Sequence, residues 1–194
     1  MKILKKVLIY FVLIIVGLII GSYIYLQTQK PDYDGELDLQ GLHEKVEVYF
    51  DEWGIPHIYA LNQHDAYMAL GYVHAQERLF QMEMMRRVAS GRLSEILGKD
   101  LVGTDKFFRA LGLRKAAEET VTSTNNDSIS RAAEAYRKGV NQYIQNGSLP
   151  VEFLLIGISK EEFTTVDMHM IAGYMAYTFE AGFKIDPLMT KIQN

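Results

Sequence analysis

The 194-residue sequence contains no cysteine. That single absence excludes a disulfide framework, thiolate metal sites and a cysteine nucleophile, while leaving the compartment open. Basic charge is also scarce in the body of the chain. Of 20 lysines and arginines, four (Lys2, Lys5, Lys6 and Lys30) fall in the first 30 residues, which hold no acid, so the remainder carries 16 basic against 24 acidic groups, a net of −8. A body this acidic lacks the basic face that tracks phosphates, and no nucleic-acid partner is expected. No His-Glu-x-x-His pattern is present, so nothing supplies the helical ligand pair of a metalloprotease. The length fits one domain of ordinary size.

Charge is absent altogether from Val7 to Leu26. At ~1.5 Å per residue this run reaches about 30 Å, the thickness of a bilayer's hydrocarbon core. Three lysines precede it, and Asp32, Asp34, Glu36 and Asp38 follow. The bias predicts an N-terminus in the cytoplasm and a body outside it. A cleaved signal peptide is the competing reading. Its apolar core is shorter, and it ends in a small-x-small site, where this chain has Tyr23, Tyr25 and Leu26. An uncleaved single-pass anchor through residues 7–26 is favoured, with a secreted body if the segment is cut. A buried soluble helix fits poorly, because the run is apolar on every side. The expected organisation is an anchor over 1–30, a polar tether over 31–44 and a body over 45–194.

Val46, Val48 and Phe50 alternate with Glu47 and Tyr49, the pattern of a half-buried strand. Asp51-Glu-Trp-Gly reads as a turn, and a second strand returns over Ile55–Tyr59, beginning or lying at an edge because Pro56 cannot donate to a ladder. His57 invites a catalytic role; a histidine packed beside Trp53 in a structural hairpin is the expected one. Residues 62–90 form the main helix, with Asn62 as N-cap, Asp65 in the first turn and Gly91 as C′. Met68, Tyr72, Ala75, Leu79 and Met82 make one apolar row, and Ala69, Val73, Phe80 and Met84 a second. Glu83 and Arg87 are spaced for an i,i+4 pair. His74 and Glu77 share a face, but two ligands on one helix, with no pattern to supply a third, are not a site. An interior polar network of His74, Gln76, Arg78 and Gln81 is expected instead.

Shorter helices follow over 92–97, 105–111, 113–122 and 127–146. The last buries Ile129, Ala132, Ala133, Tyr136, Val140, Tyr143 and Ile144. Residues 149–157 read as an extended link. Thr164-Thr165 opens a final helix with Met168, Ile171, Met175 and Phe179 on one face.

Three segments carry a resemblance. They are Asp51-Glu-Trp-Gly-Ile-Pro-His-Ile58, Gly71-Tyr-Val-His-Ala-Gln-Glu-Arg-Leu-Phe-Gln-Met-Glu83 and Gly91-Arg-Leu-Ser-Glu95. In this order they resemble the start of the α-subunit of the penicillin acylase family, a branch of the N-terminal-nucleophile hydrolases. The likeness covers roughly 45–186. It implies an α+β fold: a mostly helical α-subunit fragment with an N-terminal β-hairpin, part of an αββα hydrolase, here preceded by one transmembrane helix.

The resemblance also implies amide hydrolysis by a serine that becomes N-terminal when the precursor cuts itself, with its own α-amine as base. Such an amine titrates near ~8 and accepts a proton close to neutral pH. That serine belongs to the β-subunit, and no serine of this chain sits in a matching motif, so no catalytic residue is expected here. Met175-Ala-Tyr-Thr-Phe179 resembles the helix lining the acyl pocket, which makes Met175 and Phe179 candidate substrate contacts; a core role at helical spacing weighs equally. Thr178 stands where the penicillin G branch has arginine, which puts penicillin G preference in doubt. The calcium-binding glutamate of that branch falls on Lys184 or Ile185, and Glu180 and Asp186 are not matched. No metal ligand and no cofactor is therefore expected from this chain, although calcium is possible in the complete enzyme.

The favoured reading is the α-subunit portion of an amidohydrolase acting on an N-acylated small molecule such as a β-lactam or an acyl-homoserine lactone, inactive without the β-subunit. The alternative is a truncated, non-catalytic remnant or a membrane-anchored binding module. A metalloenzyme using His57, His64 and His74 is a distant third. A lone α-portion is expected to expose the apolar faces of helices 62–90 and 166–181.

Overall fold

The computed structural model describes the backbone of residues 2–31, 33–123 and 128–193, and side chains except those of 2, 181–190, 192 and 193. Asp32, Asp127 and the side chains of Lys184, Ile185 and Asp186 lie outside the described residues. A long helix, α1 (Lys2–Thr28), comes first, and its apolar side chains are exposed along its length. It is long and apolar enough to cross a membrane.

A hairpin follows, β1 (Glu47–Phe50) and β2 (Pro56–Tyr59), antiparallel with Val48 opposite Ile58 and Tyr49 opposite His57. Val48 and Phe50 turn inward and Glu47 and Tyr49 outward, as the alternation predicts. Asp51 organises the turn: its Oδ1 accepts the Trp53 and Ile55 amides at 2.9 Å each, and Gly54 takes φ 73°. Pro56 opens β2, where no ladder donor is needed. His57 does not pack beside Trp53. Its Nε2 lies 3.1 Å from Asp51 Oδ2, while Trp53 is 80% exposed. The backbone amide of Ile55 and then His57 hold the Asp51 carboxyl below its usual range.

The body is built on two crossed helices, α2 (Gln63–Ser90) and α6 (Ser128–Asn146). Asn62 caps α2 by accepting the Asp65 amide, and Gly91 closes it in the left-handed region. Arg78 breaks the helix (φ −137°, ψ 18°), a kink the periodicity did not announce. The two backbones nearly touch at a pair of glycines. A Cβ on Gly71 would stand 2.0 Å from the Tyr136 carbonyl oxygen, and one on Gly139 would stand 1.9 Å from that of Met68. The core between them joins Ala75, Leu79 and Met82 to Val140, Tyr143 and Ile144, closed by Phe153 and Phe163. So the apolar face of α2 is covered within the chain, contrary to expectation, and α6 is what covers it. Ile129, expected to be buried, is 77% exposed at the start of α6.

Between α2 and α6 run α3 (Ser94–Leu97), a 3-10 turn, α4 (Val102–Leu111) and α5 (Leu113–Ser123). Asp105 of α4 ties this region together. It accepts the Leu93 amide at 2.8 Å, the Ser94 amide at 2.9 Å and the Ser94 hydroxyl, satisfying the start of α3. Burial pushes the Asp105 carboxyl up, but these donors outweigh it and hold it below the usual range. Its stabilising contribution is therefore complete above the unfolded value and is lost as pH falls through the folded one. Asp105→Ala is expected to cost about 1–3 kcal/mol at neutral pH. The deficit in melting temperature, followed by circular dichroism against pH, should shrink below about pH 4.

The segment expected to be an extended link contains a helix, α7 (Val151–Ile156). Pro150 fits the position before its first turn, Glu152 suits the positive end, and Gly157 takes φ 77° to close it. Six residues are too few for periodicity to reveal, and Phe153 is the anchor. Helix α8 (Thr165–Gln193) begins with a reciprocal cap: the Asp167 amide bonds Thr164 Oγ1 at 3.1 Å, and the Thr164 amide bonds Asp167 Oδ2 at 2.8 Å. Buried Asn141 fixes the approach to α8 by exchanging two bonds with the Phe163 backbone, at 2.9 and 2.8 Å.

Candidate functional site

Helix α8 carries the residues singled out as substrate contacts. Its first two turns are held in the core through Met168, Met170 and Ile171. Farther along, Met175 is 43% exposed and Phe179 69% exposed, with Thr178 exposed between them. Thr178 turns its hydroxyl back to the Met175 carbonyl at 2.7 Å. Met175 lies one helical turn before the adjacent Thr178 and Phe179, and the three make one open stretch. Among the described residues, nothing covers Met175 or Phe179 fully. An aromatic group supports the stretch: Phe108 of α4 stands edge-on to Tyr174 and Tyr177 at centroid distances of 5.5 and 6.0 Å, and Phe107 lies 5.9 Å from Tyr177. Such pairs fix ring positions beyond what area burial does.

A buried charge network sets where α8 starts. Glu83 receives Arg87 Nε at 2.6 Å and also Arg86. Arg86 reaches across to the Glu162 carbonyl at 3.0 Å and lies over the Phe163 ring at 4.5 Å; Arg87 continues to Glu95 at 3.1 Å. Glu83, Arg86 and Arg87 are all at most 5% exposed. The i,i+4 spacing shows the Glu83–Arg87 pair in the sequence. The part of Arg86, which clips α2 to the segment before α8, has no sequence signal.

The interior network expected of His74, Gln76, Arg78 and Gln81 does not form. Arg78 and Gln81 face solvent. His74 alone finds a cross-helix partner, with Nδ1 2.5 Å from the Tyr136 hydroxyl. Burial and then Arg78 hold that imidazole below its usual range, and burial pushes the Tyr136 phenol up to about 12. His57, His64 and His74 are not brought together. His64 instead joins His43 at Asp65, a grouping across 21 residues that nothing in the pattern marks. A cleft of about 680 Å³ lies between residues 33–50 and α2, lined by Leu37, Val46, Val48, Tyr72 and Val73, and is separate from Met175 and Phe179.

The penicillin amidase family profile matches residues 45–194. Penicillin acylase 2 proenzyme of Pseudomonas sp. (strain SE83) is 42% identical over 137 residues, which is 70% of this chain and 18% of that protein. Acyl-homoserine lactone acylase QuiP of Pseudomonas fluorescens is 35% identical over 147 residues, 75% of this chain and 18% of that protein. The solved structure of a thermostable penicillin G acylase from Alcaligenes faecalis is similar with a TM-score of 0.62 at 31% identity, covering 71% of this chain and 75% of that one. The chain thus spans under a fifth of the length of these curated relatives. The match extends over most of the chain after α1, in sequence and in fold, and the chain belongs to the penicillin amidase family.

Proposed function

We propose that residues 45–194 are the α-subunit portion of an amidohydrolase that cleaves linear amides of N-acylated compounds, and that α8 forms part of its acyl-binding wall. The observation that carries this reading is the open apolar stretch of Met175, Thr178 and Phe179, held by packed aromatics and left uncovered by the rest of the described chain. An acyl group needs such a wall, since apolar area fixes it while the chemistry proceeds elsewhere. That this chain covers three quarters of one chain of a solved acylase, but 18% of a proenzyme, agrees with a separately folded portion.

In this reading the nucleophile is an N-terminal serine on a β-portion. Its hydroxyl attacks the amide carbon, its α-amine takes that proton and passes it to the departing amine nitrogen, and water then cleaves the acyl-serine ester to release the acid and restore the hydroxyl. This chain contributes binding, not proton transfer. The substrate class is a β-lactam or acyl-homoserine lactone type of N-acyl compound, and Thr178 leaves the pocket wall here without a charge. Residues 7–26 anchor the body outside the cytoplasmic membrane through the tether over 31–44. No calcium ligand is assigned to this chain.

The test is kinetic. In the assembled enzyme, Phe179→Ala should raise KM for a chromogenic N-acyl arylamine by about tenfold or more with kcat little changed, the signature of uniform binding loss. Unchanged KM in both Phe179→Ala and Met175→Ala would remove α8 from the pocket. A second reading, a membrane-anchored binding module, draws on the closed α2–α6 core. A cooperative melt of the chain as a monomer, together with no turnover in any assembly, would favour it.

A further inference from the structure

Asp65 is fully buried in the first turn of α2, and its carboxylate is saturated. Oδ1 accepts the His43 amide at 3.0 Å and His64 Nδ1 at 3.0 Å. Oδ2 accepts the Glu44 amide at 2.9 Å and the Asn62 side-chain amide at 2.6 Å. A carboxylate only accepts, so the His64 proton sits on Nδ1 and the Nε2 lone pair is free. A metal-binding histidine is oriented in the same way, with its other nitrogen bonded to a carboxylate behind it.

His43 completes the arrangement. Its ring stacks on that of His64 with centroids 4.4 Å apart and planes tilted by 32°. Its Nδ1 also faces Asp65 Oδ1, at 3.6 Å. Both rings therefore turn one nitrogen towards the same carboxylate oxygen and leave the other on the far edge. One potential donor atom from each of His43, His64 and Asp65 lies within 4.8 Å of the other two. Two bonds of about 2.1 Å at the tetrahedral angle span roughly 3.4 Å. The His43 side chain is 66% exposed, so its ring has room to turn its far nitrogen toward that of His64.

We propose that His43 and His64 form a binding site for a borderline transition-metal ion of the Zn²⁺ class. The two Nε2 atoms are the ligands, Asp65 holds the rings from behind, and water fills the open positions. Two imidazoles without a thiolate or a free carboxylate suit zinc, nickel or copper and do not suit calcium or magnesium. The ion would join residue 43, in the segment leading up from α1, to the first turn of α2, and so fix where the membrane-proximal segment leaves the body. The site is independent of the acylase reading, since no residue of it lies on α8.

The full chain, purified in detergent without a histidine tag, is titrated with ZnCl₂ by calorimetry. One site is expected. It should be lost in His43→Ala and in His64→Gln and kept in His57→Ala, which removes a histidine paired with a different aspartate. His43→Ala should melt like the parent without zinc, because only an exposed ring is removed. No binding by the parent chain, binding that survives His43→Ala, or equal loss in His57→Ala would each overturn the proposal.

Discussion

Gly71→Ala is expected to cost about 3 kcal/mol or more, at the upper end of what overpacking a well-packed contact does. The reason is geometric. The added Cβ would lie 2.0 Å from the Tyr136 carbonyl oxygen and 2.8 Å from its carbon, and both are backbone. No rotamer change relieves such a contact, so α2 and α6 must move apart along the core they share. Gly139→Ala meets the mirror problem at the Met68 carbonyl, 1.9 Å away. In a chain of this size each substitution should lower the melting temperature by about 6–12 °C. Gly103→Ala is the control, since nothing lies within 4 Å of its Cβ and its position in α4 is helical. A Gly71→Ala protein that melts with the parent would mean that the helices do not cross this closely.

Glu83→Ala should be at least as damaging. It removes the buried carboxylate shared by two buried guanidinium groups and leaves Arg86 and Arg87 without their nearest counter-charge. Removing one partner of a buried pair costs about 3–5 kcal/mol, because the remaining charge stays desolvated. Arg86 keeps more distant acids, Glu161 at 3.6 Å and Asp167 at 3.9 Å, and Arg87 keeps Glu95 at 3.1 Å, so the loss is not total. Glu83→Gln retains the volume and an acceptor and should fall between parent and alanine variant. The damage should also reach function. Arg86 bonds the Glu162 carbonyl, and that segment sets the start of α8. Denaturant melts of the three proteins give the order, and KM in the assembled enzyme shows whether α8 has shifted. Equal stability of Glu83→Ala and parent would contradict the network.

The sequence showed the elements whose period or caps are strong. Asn62 and Gly91 bound α2, the alternation of Val46, Val48 and Phe50 marks β1, and Thr164 with Asp167 marks the start of α8. It did not show α7, whose six residues are defined by Pro150 and Gly157 and by the tertiary anchor Phe153. Nor did it show that Ile129 stays exposed, because an apolar residue in the first turn of α6 fits the helical period whether or not a neighbour reaches it. The exposure of Met175 and Phe179 agrees with the expectation for the face of 166–181, whereas the face of α2, expected to be open too, is covered by α6, because exposure depends on which elements pack. Contacts distant in sequence, Arg86 to Glu162 and His43 to His64, leave no mark in local pattern at all.

In the proposed function this chain supplies a binding wall and not the reacting groups. The direct measurement is hydrolysis of an N-acyl arylamine by the purified chain alone and then by the chain combined with the nucleophile-bearing portion. The chain alone should give no turnover above buffer. The combination should restore it, and replacing the terminal serine of the added portion by alanine should abolish it again. Turnover by the chain alone would contradict the account, because it would place a nucleophile among residues 1–194.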